Sequence, residues 1–345
     1  MKIPKHIEDK MSKDLFMKEN HPIHIIKNKI YDYFGEDFLK IEDFPKIVNT
    51  KNNFDDLLIG ENHPSRSKSD TYYVGKDLVL RTHMTAFLST ILNNNKILTK
   101  FNNFLYVGDV YRKDEIDATH YPIFHQLDGV CILDKDQDPI VALKTSLGGL
   151  IEHLFPGCEY SFKDEYYPFN STAFEVNVKF GDKWIEVLGC GVKKQEILDS
   201  AGLFDKVAWG FGLGLDRLAM IFFKIPDIRY IWSDDERFLN QFEKGKISKF
   251  KSFSKYPPVY KDVSFFVNPG FNMNEFYEIC REEAGDLIEN ISMTDKFFSE
   301  KLGQDSYCFR LTYRSNEKNL TDEEINTIHN NIKEQVKNNS QLKLR

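Results

Sequence analysis

Apolar residues recur at Ile23, Ile26, Ile30 and Phe34, one stripe of an amphipathic helix over residues 21–34. His63–Val74 is a polar run entering a strand, and Leu78–Arg81 predicts a short apolar strand. It ends in Arg81-Thr82-His83-Met84-Thr85-Ala86, and a helix follows through Leu92. Apolar segments at Phe104–Val107 and Val130–Leu133 flank a stretch dense in charge and amide, the pattern of two strands joined by a polar loop. On the returning strand, period two puts Phe124, Gln126 and Asp128 on one face and His125 and Leu127 on the other. Thr172–Phe180 and Lys183–Gly189 alternate as half-buried strands. In the second, the same period puts Glu186 beside Trp184 and Leu188, where an acid needs a partner or a function. Gly210, Gly212 and Gly214 precede a helix over Leu215–Phe223. Glycine there lets the backbone approach a ligand, and an ordinary strand-to-helix turn is the plainer alternative.

The pattern changes from Val259. Val263–Val267 predicts a strand, Met273–Ala284 a helix, Leu287–Lys301 a strand and turn, Tyr307–Tyr313 a strand and Asp322–Lys337 a helix. Strand-helix-strand-strand-helix matches a ferredoxin-like split βαβ sandwich. A chain of 345 residues, 41% hydrophobic, holds two domains of this kind. No apolar run approaches the length of a membrane span. Cys131, Cys158, Cys190, Cys280 and Cys308 are scattered without a CxxC pair, so free thiols are expected, without zinc or disulfides. Acids and bases balance beyond Lys246, so the net charge of −7 lies in the first 245 residues. Six lysines and no acid fall between Lys244 and Lys261, a solvated linker or a nucleic-acid backbone contact.

Residues 106–130, YVGDVYRKDEIDATHYPIFHQLDGV, carry the most chemistry. The fork of Arg112 matches phosphate oxygens two at a time. Phe124, Gln126 and Asp128 offer an aromatic plane, an amide and a carboxylate in a row, suited to an adenine ring or an amino acid's ammonium group. A solvated charged hairpin is the alternative. His120 and His125, five apart around a bend, suit structural roles better than a metal pair.

Tyr111–Gly129 resembles motif 2 of class II aminoacyl-tRNA synthetases, in the form of the phenylalanyl-tRNA synthetases. Ala208–Met220, AWGFGLGLDRLAM, resembles motif 3, and Ser254–Val267, SKYPPVYKDVSFFV, resembles the start of that family's anticodon-binding domain. The order is that of single-chain mitochondrial phenylalanyl-tRNA synthetases. The resemblance implies an α+β chain: an antiparallel-sheet catalytic domain over 1–245 with an N-terminal helical extension, a lysine-rich linker over 246–256, and a ferredoxin-like anticodon-binding domain over 257–345. It implies ATP and Mg2+ as cofactors, L-phenylalanine and tRNA(Phe) as partners, a monomer and no membrane contact.

Residue by residue, the resemblance gives Arg112 to the α-phosphate and substrate carboxylate, and Arg217 to the γ-phosphate, as the catalytic pair. Phe124 is expected under adenine, Asp114 at its amino group, Gly214 beside ATP, and Glu186 as a magnesium ligand. His83, Thr85, Gln126, Asp128, Gly210 and Gly212 fall to phenylalanine, with Tyr167 and Phe169 sandwiching its ring. Lys249, Lys251, Lys255 and Lys261 are expected on tRNA. Tyr166, Tyr167 and Phe169 taken alone read equally as core. Asp114 and Asp128 stand one methylene short of the usual glutamate, and Gly210 lacks the usual alanine methyl, which predicts a wider side-chain pocket. Removing the C-terminal domain is expected to spare adenylate formation.

The implied activity is ATP-dependent activation of L-phenylalanine and its transfer to the 3′ end of tRNA(Phe), in the mitochondrial matrix or another organelle. Residues 1–20 hold Glu8, Asp9, Asp14 and Glu19 and no arginine, so no transit peptide is visible there. The alternative is a synthetase-like paralogue that holds tRNA or a partner without aminoacylating; retention of both Arg112 and Arg217 argues against it.

Overall fold

The computed structural model describes residues 3–252, 256–315 and 317–345. The amphipathic stripe forms helix α1, Pro22–Phe34. His21 caps its start by accepting from the Ile23 N–H, and Gly35 at φ +63° ends it. Strand β1 (Leu39–Ile41) pairs in parallel with a later strand, and β2 (Ile47–Asn49) and β3 (Leu78–Leu80) form a small side hairpin. The long hairpin follows as β4 (Asn103–Tyr111) and β5 (Ile123–Asp134). Helix α2 (Pro139–Leu154) and strand β6 (Tyr160–Glu165) were not read from the sequence. Asp138 caps α2 ahead of a proline at its first position, a legible start signal. Then come β7 (Asn170–Phe180), β8 (Lys183–Lys193), β9 (Lys206–Gly214) and helix α3 (Leu215–Phe223).

These strands make a seven-stranded sheet in the order β1-β4-β5-β9-β8-β7-β6, antiparallel except at β1. Helices α1, α2 and α3 bury their apolar stripes on one face, against Leu105, Val107, Leu127, Val176, Trp209 and Leu213. The expected alternation along β5 holds: His125 and Leu127 lie within that helix-covered layer, while Phe124, Gln126 and Asp128 face the opposite side. One alternation fails. Val176 pairs with Leu188 but Asn177 pairs with Glu186, so Val187 is an extra residue in β8. Glu186 therefore parts from Leu188: it is exposed, whereas Leu188 is buried.

Beyond the sheet, Phe250 packs against Tyr230 and Phe238, and its N–H donates to Phe223 O over 2.6 Å. The lysine-rich stretch is thus pinned at one aromatic residue. The C-terminal part is β10 (Val259–Val267), α4 (Met273–Ala284), β11 (Ile288–Ser299), β12 (Gln304–Tyr313), α5 (Asp322–Asn338) and β13 (Leu342–Leu344). The sheet order β11-β12-β10-β13 completes the split βαβ with a short sixth element that the sequence reading lacked. Three residues carry too little pattern to be read as a strand. Thr321 and Glu324 form a reciprocal capping box on α5.

Candidate active site

The face of the large sheet away from the helices opens into a cleft of about 880 Å³. Its lining gathers His83 and Thr85 from the segment after β3, Arg112 and Asp114 from the β4–β5 loop, and Phe124, Gln126 and Asp128 from β5. Tyr167 and Phe169 before β7, Glu186 from β8, Gly210, Gly212 and Gly214 from β9, and Arg217 from α3 complete it. Residues separated by more than a hundred positions thus meet in one concavity because β5, β9 and β8 are sheet neighbours.

The polar groups in this cleft are arranged for something not supplied by the protein. Asp128 is buried, and the Thr85 hydroxyl donates to its Oδ2 over 2.6 Å. Among the described residues its Oδ1 has no hydrogen-bond partner, nor has Gln126 Oε1, nor either ring nitrogen of His83. Such atoms are costly when dry and unpaired. Two unmet acceptors side by side fit an ammonium group. Burial lifts the Asp128 carboxyl to about 6, against the pull of the Thr85 hydrogen bond and the Lys193 charge. Burial likewise holds His83 neutral, with its pKa at about 3.

Arg112 Nε donates to Thr82 O over 2.7 Å, which aims the fork, and the guanidinium sits 5.4 Å from the Phe124 ring centroid. Arg217, near the start of α3, reaches Glu186 at 3.4 Å, and both side chains are about half exposed to the cleft. Behind them, buried His125 bridges Asp216 at 3.1 Å and Asp109 at 3.5 Å and stacks on Trp232 at 4.8 Å. His125 is structural, as expected; it ties α3 to β4 and β5.

Two expectations need correction. Tyr167 and Phe169 stack on each other with centroids 5.8 Å apart at 13°. A ring slotted face to face between them needs two contact distances, about 7 Å, so the pair forms an aromatic wall and not a sandwich. Gly210 does not leave open space: a Cβ there would stand 2.7 Å from Gly129 O and 2.9 Å from Lys193 Cε. Of the lysines assigned to tRNA, Lys249, Lys251 and Lys261 lie outside the cleft, the first two exposed, and Lys255 lies outside the described residues. Nearby Lys244 and Lys246 are already paired, with Glu19 and Glu243.

Lys193 and Asn170 were missed. Both are buried in the cleft, with Lys193 Nζ 3.1 Å from Asn170 Oδ1. The signal was present: Gly189, Gly191 and Lys193 share one face of β8 by period two. Also missed was Asn274 of α4, which reaches the cleft rim. The C-terminal part docks on the β4–β5 loop, where Arg281 donates to the main-chain oxygens of Asp114 and Glu115, and on the segment before β3, where Tyr72 donates to Glu278 over 2.9 Å. Ile116 packs within the C-terminal core, and its carbonyl accepts from Ile291 N over 3.0 Å.

Comparison with known proteins decides the family. Residues 7–242 match the class II core domain (F) of tRNA synthetases, and residues 254–345 match the ferredoxin-fold anticodon binding domain. The chloroplastic/mitochondrial phenylalanine–tRNA ligase of Arabidopsis thaliana is 46% identical over 99% of this chain and 82% of its own length. This chain belongs to the class II phenylalanine–tRNA ligases. The mitochondrial phenylalanine–tRNA ligase of Dictyostelium discoideum is 38% identical over 99% of the chain and 89% of its own. That of Saccharomyces cerevisiae is 32% identical over 93% and 87%. Among solved structures, the pyrrolysyl-tRNA synthetase of Desulfitobacterium hafniense shares the fold, with TM-score 0.50 and 20% identity over 66% of this chain and 77% of that one. The ligase fold therefore places the cleft-bearing sheet and the smaller sheet in one chain, as the sequence implied.

Proposed function

We propose that the cleft holds ATP and L-phenylalanine together, joins them as phenylalanyl-adenylate with release of pyrophosphate, and passes phenylalanine to the 3′ end of tRNA(Phe). The observation that carries this reading is the convergence of Arg112 and Arg217 with the two unmet acceptors of Gln126 and Asp128 in one cleft. The acceptors take the substrate ammonium. Arg112 takes the carboxylate and the α-phosphate, and Arg217 the γ-phosphate. Attack of carboxylate on phosphorus needs no protein nucleophile, so the protein contributes position and fixed positive charge. Phe124 stacks under adenine, Asp114 accepts from its amino group, and Gly214, where an added Cβ would meet nothing within 4 Å, leaves the backbone open to the nucleotide.

Magnesium fits here through Glu186, a hard carboxylate exposed to the cleft. This ion takes one or two carboxylates, with phosphate oxygens and water completing its shell. It supplies charge neutralisation on the departing phosphates. The C-terminal sheet supports an RNA role: Phe297 neighbours Phe266, and Arg345 stands 4.9 Å from the Phe297 ring, an aromatic and cationic surface. Lys249, Lys251 and Lys261 are proposed as added phosphate contacts. The chain is proposed to act as a monomer in the mitochondrial matrix or another organelle, in keeping with the names of its relatives; among the described residues no helix is long and apolar enough to cross a membrane.

The test is ATP–pyrophosphate exchange with L-phenylalanine, then charging of tRNA(Phe), by the purified chain alone. Exchange and charging are expected. A folded chain that binds tRNA(Phe) without exchange would instead be the non-aminoacylating paralogue.

A further inference from the structure

Gly189 pairs directly with Gly212, and Gly191 with Gly210, so a block of four facing glycines leaves the cleft floor without side chains of its own. Each glycine is covered by a side-chain tip from elsewhere. A Cβ at Gly189 would stand 2.5 Å from the Tyr167 hydroxyl, and one at Gly191 would meet the Asn170 amide. At Gly212 the neighbours are Asp128 Oδ1 at 2.8 Å and Gln126 Nε2 at 2.9 Å; at Gly210 they include Lys193 Cε at 2.9 Å and Nζ at 3.3 Å. The floor is therefore polar over both β9 glycines, with the Asp128 carboxylate and the Gln126 amide over Gly212 and an ammonium over Gly210.

Gly212 and Gly210 lie two residues apart on one strand, about 7 Å. That is close to the span from an amino acid's ammonium nitrogen to the far end of its phenyl ring. With the substrate ammonium on Gln126 and Asp128, the far end of the ring arrives beside Lys193. This lysine is buried, stands 4.7 Å from the Phe169 centroid, and has one hydrogen bond among the described residues, to Asn170. An ammonium carries three donors. Burial pulls its pKa down to about 8, with Asp128 opposing, so it is largely charged at neutral pH.

We propose that Lys193 is a specificity-determining residue that favours side-chain rings bearing a hydrogen-bond acceptor at the para position, the tyrosine hydroxyl first among them, over rings of equal size without one. The proposal rests on the reading of this cleft as the amino-acid site. A donor left unpaired by an apolar ring and satisfied by a phenol discriminates on that atom alone.

The experiment compares kcat/KM in pyrophosphate exchange for tyrosine and for 4-methylphenylalanine, which match in size and differ in the acceptor. Phenylalanine itself serves as the control. In the wild-type chain tyrosine is expected to be the better of the para-substituted pair by about tenfold. Lys193→Met should abolish that preference and Lys193→Arg should keep part of it. Wild-type preference for 4-methylphenylalanine, or an unchanged ratio in folded Lys193→Met, overturns the proposal. The wild-type comparison stands even where the variant fails to fold. Absence of exchange with phenylalanine would instead overturn the site reading beneath it.

Discussion

The Thr85 hydroxyl donates to Asp128 Oδ2 over 2.6 Å, which leaves Oδ1 of the same buried carboxylate facing Gly212 with no partner among the described residues. Burial raises this carboxyl to about 6, so the folded protein holds its proton more tightly than the unfolded chain does. The penalty for the buried charge is present above that pKa and relieved below it. Ammonium binding needs the charge, so it weakens as pH falls through about 6. The KM for the amino acid should rise about tenfold per pH unit below that point, one unit being 1.36 kcal/mol. Asp128→Asn should have a high and nearly flat KM. Exchange kinetics from about pH 5 to about pH 8 check this, and a wild-type KM without acid dependence would sink it.

Arg112→Ala and Arg217→Ala should each lower the exchange rate about 100- to 1000-fold, the cost of losing one preorganised donor at a developing charge. Arg112→Lys should rescue little, because Thr82 O holds Nε and aims a planar fork that an ammonium lacks. Thermal melts should stay near wild type. Near wild-type exchange in Arg217→Ala would remove its phosphate role.

Gly210→Ala should register first in stability. The added methyl meets main-chain Gly129 O as well as Lys193, and backbone cannot step aside as a side chain can. Overpacking of this kind costs about 1–3 kcal/mol. A denaturant titration is the check; an unchanged midpoint would mean β5 and β9 separate more easily than their pairing implies.

Deleting residues 256–345 should impair adenylate formation, in contrast to the expectation from motif positions alone. The deletion uncovers Ile116 and frees the Asp114 and Glu115 carbonyls from Arg281. Arg281→Ala should raise amide exchange over residues 113–119 and raise the KM for ATP. If the truncated, folded protein formed adenylate at the full rate, the docking would be irrelevant to the site.

His125→Ala should cost about 3–5 kcal/mol, since it removes the charged partner of buried Asp216 and one of the two of Asp109, which keeps Lys46. Burial alone would depress this imidazole, but the Asp216 and Asp109 charges outweigh it and raise the pKa. Its contribution is therefore full below the ordinary value of 6.5 and fades as pH rises through the folded value. Unfolding measurements on wild type and variant should converge towards alkaline pH.

Much of the fold and site was legible because local chemistry specified it. The period-two run of Phe124, Gln126 and Asp128 assigns a strand and a face together, and the α1 stripe from Ile23 to Phe34 marks a helix without reference to anything distant. Family motifs then named Arg112 and Arg217, whose types follow from phosphate chemistry. The short β13 carried too few residues to show a period.

Other features depend on which strands become neighbours, and no local pattern encodes that. The Val187 bulge parts Glu186 from Leu188 only when β8 pairs with β7. Tyr167 and Phe169 alternate correctly, yet their mutual stacking follows from the turn into β7. Gly210 looks like missing bulk in the sequence; in the fold, Lys193 from β8 and Gly129 from β5 already occupy its surroundings. The sequence alone determined the residue types, their periods and the family chemistry. The tertiary structure decided what each side chain faces, because sheet order brings together residues from β5, β8 and β9 whose spacing along the chain carries no information about their distance in space.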